Sequence, residues 1–87
     1  MSRWLFKAYT DKGEAISRYG FRTVLNDEEL KSLTGAAWWQ YPYFEESSMM
    51  ERAKRVAYNL QQKWSSEFGS YVIVKVWQDS KLVWVEE

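Results

Sequence analysis

Ser48-Met49-Met50-Glu51-Arg52-Ala53-Lys54-Arg55-Val56-Ala57-Tyr58-Asn59-Leu60-Gln61-Gln62-Lys63-Trp64-Ser65-Ser66-Glu67-Phe68-Gly69 is the stretch on which the fold turns. Ala53, Val56, Ala57, Leu60, Trp64 and Phe68 recur at spacings of three and four. Arg52, Lys54, Arg55, Asn59, Gln62, Lys63 and Ser66 fill the other faces, with the Arg52, Lys54 and Arg55 cluster read as a solvated face. Ser48 stands where its hydroxyl can cap first-turn amides, with Glu51 three residues on, and Gly69 sits where a left-handed terminating residue is wanted. The pattern predicts one amphipathic helix of about five turns.

A helix with one apolar stripe needs a cover, and the residues that follow supply it. Residues 71–78 and 81–87 alternate as two strands around Asp79-Ser80, although a two-residue turn prefers glycine. That turn would set Val76 opposite Val83 and Val74 opposite Val85, a compact aliphatic face onto which the helix packs together with Val72. The reverse face would carry Tyr71, Ile73, Trp77, Leu82 and Trp84, with Lys75 across from Trp84 as a surface cation–π pair.

Upstream, residues 3–10 alternate as a strand, and Asp11-Lys12-Gly13-Glu14 has turn chemistry. Residues 15–24 read as a second strand, with Tyr19, Phe21 and Thr23 on one side and Ile16, Arg18, Arg22 and Val24 on the other. Gly20 then marks a bulge or a close backbone approach. Asn26-Asp27-Glu28-Glu29 is a helix start, with Leu30 and Leu33 as one apolar edge and Thr34-Gly35 as the end. Pro42 forbids a regular helix through the aromatic run that follows. The fold class expected is α+β: a single domain over residues 1–87, in the order β-β-α-α-β-β. One four-stranded antiparallel sheet carries the long helix on one face, beside a short helix and an aromatic loop.

Composition narrows the chemistry. The chain has 87 residues with no cysteine and no histidine, so thiolate and imidazole metal sites and the common nucleophile–base pairs have no residues to build them. Glu45-Glu46 offers paired acids, but adjacent residues diverge rather than cooperate, so the expectation is a protein that is not an enzyme and uses no cofactor. Twelve basic residues balance twelve acidic ones, and no stretch has the length of a membrane span. The start shows no apolar export segment, which makes the cytoplasm the expected location.

Six tryptophans are more than a core of this size needs. Trp38 and Trp39 are adjacent, and neighbouring side chains diverge, so one of them should face outward. Trp38, Trp39, Tyr41, Tyr43 and Phe44, edged by Glu45 and Glu46, together with Trp77 and Trp84, are the candidate docking residues for another protein. Tryptophan and tyrosine are enriched among residues that carry binding energy. The function expected first is a protein-protein interaction module, a small inhibitor or adaptor of the kind mobile elements and phages encode. Exposed aromatics would also permit a homodimer. A second reading is a single-stranded nucleic-acid-binding protein, in which sheet aromatics stack on bases and Arg3, Lys7, Arg18 and Arg22 track the phosphates.

Overall fold

A computed structural model describes residues 2–34 and 48–87 of the chain. The elements follow in the order β1 (Arg3–Thr10), β2 (Arg22–Asn26), α1 (Asp27–Thr34), α2 (Met49–Phe68), β3 (Val72–Gln78) and β4 (Lys81–Glu86). The strands form one antiparallel sheet in the order β2-β1-β3-β4, so β1 and β3 are its two central strands. This is the α+β architecture read from the sequence.

Local chemistry places each helix as expected. At α1 the Asn26 side chain accepts from the Glu29 amide at 2.8 Å, while the Glu29 carboxylate accepts from the Asn26 amide at 3.0 Å. That reciprocal pair satisfies two donors the helix end would otherwise leave free. Asp27, the first residue of α1, reaches further. Its carboxylate accepts from the indole N–H of Trp4 at 2.8 Å and from the Ser2 amide at 3.0 Å. The backbone donor of Ser2 and then the Trp4 indole hold the Asp27 carboxyl below its ordinary value. Trp4 is only 1% exposed, so its single polar atom has a partner inside the fold.

At α2, Ser48 accepts from the Glu51 amide, and Gly69 ends the helix at φ 86° with its amide donating to the Ser65 carbonyl. Ala53, Val56, Ala57 and Trp64 are buried against Trp4, Phe6 and Ala8 of β1 and Val72, Val74 and Val76 of β3. Leu60 and Phe68 are half-buried at the edge of this core. Two polar residues join the helix's buried side, and the apolar count alone does not mark them: Arg52, taken from the sequence as part of a solvated face, and Gln61. Gln61 Nε2 lies within 2.9–3.2 Å of the Tyr71 hydroxyl and of the carbonyl oxygens of Val72, Glu86 and Glu87, clipping α2 to the ends of β3 and β4. Tyr71 is thereby drawn round to the helix side, not left on the reverse face.

Two strand expectations are corrected. The second strand is not continuous over 15–24. Ile16 donates to the Ala8 carbonyl, and Ala8 donates to the Phe21 carbonyl, so the intervening residues 17–20 loop out of the ladder before β2 begins at Arg22. Gly20 turns the loop back with φ 93°, and Tyr19 at its tip is fully exposed. Ile16 and Phe21, five residues apart, would point to opposite faces of an unbroken strand. Across the excursion both are buried in the core.

The second correction concerns the β3–β4 hairpin. Asp79 and Ser80 do form a two-residue turn, both with positive φ (49° and 72°), and Trp77 pairs with Leu82 as expected. Beyond that pair the register shifts, so Val76 faces Trp84 and Lys75 faces Val85. Val83 is the extra residue of a β-bulge. The valine pairs Val76–Val83 and Val74–Val85 therefore do not form, and Trp84 is carried to the helix side of the sheet. There Lys54 Nζ lies 4.2 Å from the centre of its ring, and its indole donates to Glu86 at 2.9 Å.

Candidate functional site

β1 shows how the sheet divides its faces. Trp4, Phe6 and Ala8 are buried under the helices, so Arg3, Leu5, Lys7 and Tyr9 must point the other way. Direct pairing sets Arg22, Lys7, Lys75 and Val85 in one row across four strands, and Val24, Leu5, Trp77 and Leu82 in the next. Among the described residues no helix covers this face.

Three cations in one cross-strand row is an unfavourable arrangement. Like charges directly opposite each other destabilise a sheet, and among the described residues no carboxylate is paired with any of the three. Part of the repulsion is met by aromatic rings. Lys75 Nζ lies 4.4 Å from the centre of the Tyr9 ring, and Lys7 Nζ is 5.8 Å from Tyr9 and 5.9 Å from Trp77. Tyr9 and Trp77 are tilted neighbours at 6.2 Å on the two central strands. Rings and ammonium groups thus alternate over the middle of the face.

At one end the face dips into a concavity of about 630 Å³, lined by Arg3, Leu5, Lys7, Arg22, Val24, Trp77, Asp79 and Ser80. The hairpin turn closes that end. Asp79 is stitched to the start of β1 by two bonds, its amide to the Arg3 carbonyl and the Arg3 amide to its Oδ1, each 2.9 Å. The volume falls within the roughly 300–1,000 Å³ range of sites that hold small organic groups.

The residues singled out in the sequence divide as follows. Trp77, Arg3, Lys7 and Arg22 come together on the open face. Trp84 does not, because the bulge turns it to the helix side. Arg18 does not either: it sits on the 17–20 excursion with its guanidinium 4.9 Å from the centre of the Phe68 ring. The expected Lys75–Trp84 pair is replaced by Lys75 with Tyr9 and Lys54 with Trp84. Trp38, Trp39, Tyr41, Tyr43, Phe44, Glu45 and Glu46 lie outside the described residues. The alternation of β1 sets Tyr9 on the side of Leu5 and Lys7, as the structure has it, but sequence reasoning did not count Tyr9 among the binding residues and missed Lys75 as a neighbour of Lys7, which required knowing that β1 pairs with β3.

Among the described residues no group of three acidic side chains is placed to hold a metal ion, and no helix is long and apolar enough to cross a membrane. No family model matches the chain, and no curated protein or solved structure shows significant similarity to it.

Proposed function

We propose that this protein is a non-catalytic binding module whose open sheet face takes single-stranded nucleic acid. The observation that carries the reading is the Arg22–Lys7–Lys75 row flanked by Tyr9 and Trp77. Repulsion within the row falls when a polyanion lies across it, and the half-buried rings of Tyr9 and Trp77 beside it offer stacking to an unpaired base. A balanced net charge does not oppose this, because five of the twelve acidic residues lie on the helices: Asp27, Glu28 and Glu29 on α1, Glu51 and Glu67 on α2. Of the residues lining the concavity only Asp79 is acidic. The setting proposed with this function is the cytoplasm, where unpaired RNA is abundant.

The test is fluorescence anisotropy of a labelled single-stranded oligomer as salt is raised. Binding should weaken by a log–log slope of about 0.7 per phosphate contacted. Replacing Lys7 and Lys75 together with Gln should shallow the slope by one to two such contacts, on the order of 1 in slope. Salt-insensitive binding, or none, would sink the reading.

A second reading, docking on another protein as a small inhibitor or adaptor, is favoured by the β4 edge of the same face. There Leu82 is half exposed directly opposite Trp77, with Val85 one row further along opposite Lys75. Capture of a host protein that survives high salt and is lost in Leu82→Asp would support it over the first. Self-association through the same patch would show as concentration-dependent sedimentation.

A further inference from the structure

One feature of the concavity does not suit a surface built only to attract phosphate: a carboxylate sits inside it. Asp79 is held by the turn and by the two bonds to Arg3, and only one of its oxygens is used in doing so. Its Oδ2 makes no hydrogen bond among the described residues, and Ser80, the next residue of the turn, also lines the concavity. Across the concavity stand Arg22 and Lys7, with the Trp77 indole between the two ends. A polyanion pays electrostatically to approach Asp79 unless it brings hydrogen-bond donors with it.

Resting on the nucleic-acid reading above, we propose that the concavity is a seat for one nucleotide and that Asp79 makes it select guanine. A base lying on Trp77 with its phosphate toward Arg22 and Lys7 presents its Watson–Crick edge to the hairpin turn. A carboxylate is an acceptor only, with room for about four hydrogen bonds on its two oxygens, so it asks for adjacent donors. Guanine has them, N1–H and N2–H side by side. Adenine and cytosine place a single amino group next to a ring nitrogen whose lone pair would face the carboxylate. Uracil has one N–H between two carbonyl oxygens. A fixed acceptor therefore favours guanine by a matched pair of bonds and disfavours the other three by lone-pair repulsion.

The experiment compares unpaired oligomers of about ten nucleotides, all-uridine or with one central guanosine, adenosine or cytidine, against the wild-type protein and Asp79→Asn. The variant suits the fold. Asparagine tolerates the positive φ of this turn position and keeps an acceptor for the Arg3 amide. Wild type should bind the guanosine oligomer about ten-fold more tightly than the others. In Asp79→Asn that preference should collapse, while binding of the all-uridine oligomer is kept or strengthened because a negative charge has gone. Equal affinity of wild type for all four oligomers overturns the guanine seat but leaves the general face standing, as does a preference that survives Asp79→Asn. No salt-sensitive binding to any oligomer overturns both. Should the variant not fold, the wild-type comparison of the four oligomers still decides whether the seat selects guanine, and Asp79→Ser takes the place of the variant in assigning the selection to the carboxylate.

Discussion

The two faces of one sheet obey different rules although they share every backbone atom. On the helix side Trp4, Phe6, Ala8, Val72, Val74 and Val76 are sealed from water, and the one indole N–H in that set is bonded to Asp27. On the open side the same strands carry Arg3, Lys7, Lys75, Tyr9 and Trp77, half-buried or exposed, with cation opposite cation. The first face lowers the free energy of the fold at nearly every position. The second raises it along one row and, among the described residues, has rings but no counter-charge to offset that cost. A sheet selected for stability alone would have placed a carboxylate opposite Lys7, and the difference is the reason to look for function on the open side.

That contrast is open to direct attack, beginning with its most severe form. Val74→Asp puts a carboxylate into the centre of the helix-side core with no partner, and the expected result is loss of the cooperative melt followed by circular dichroism. Next is the pair of tryptophan truncations. Trp64→Ala, at a site 1% exposed, should cost about 3–5 kcal/mol in denaturant midpoint experiments. Trp77→Ala should cost much less stability yet weaken oligomer binding by about 1–3 kcal/mol, the worth of one stacked base. Equal stability losses would erase the distinction between the faces.

A third test uses acid. Asp27 has a lowered value in the folded chain, so its bonds to Ser2 and Trp4 contribute fully at neutral pH, where both folded and unfolded chains are ionised there. As pH falls below the ordinary carboxylate range the unfolded chain takes up the proton first, and the contribution fades until the folded-state value has been passed. Asp27→Asn should therefore melt below wild type at pH 7, with the two melting temperatures converging in strong acid. Curves that stay parallel would show that the Asp27 charge is not what anchors Trp4.

The smallest effect has the opposite sign from most substitutions. Lys7→Gln should stabilise the fold by about 0.2–1 kcal/mol by breaking the row of like charges, while weakening oligomer binding. A destabilised Lys7→Gln would mean that the row is held by something other than tolerance of repulsion.

Much of this was legible in the amino-acid order. The α2 stripe, the capping pairs Asn26–Glu29 and Ser48–Glu51, the Gly69 stop and the Asp79-Ser80 turn all depend on residues within four positions of one another. Local sterics and hydrogen bonding decide such features before any tertiary contact exists. The candidate site was legible only in part. Arg3 and Lys7 alternate with buried neighbours and so share a face by the period of a strand, but nothing local says that β1 lies between β2 and β3.

Residue order alone dictates the set of elements and, within β1 and β3, which residues share a side, because the pleat has a period of two that a one-residue slip cannot hide. The row Arg22–Lys7–Lys75, the escape of residues 17–20 and the bulge at Val83 that sends Trp84 to the helix side arise only once the strands have paired. Each of these depends on pairing between segments distant in the chain. There the packing of Ile16, Phe21 and Trp84 against the core outweighs the preference of a strand to continue unbroken.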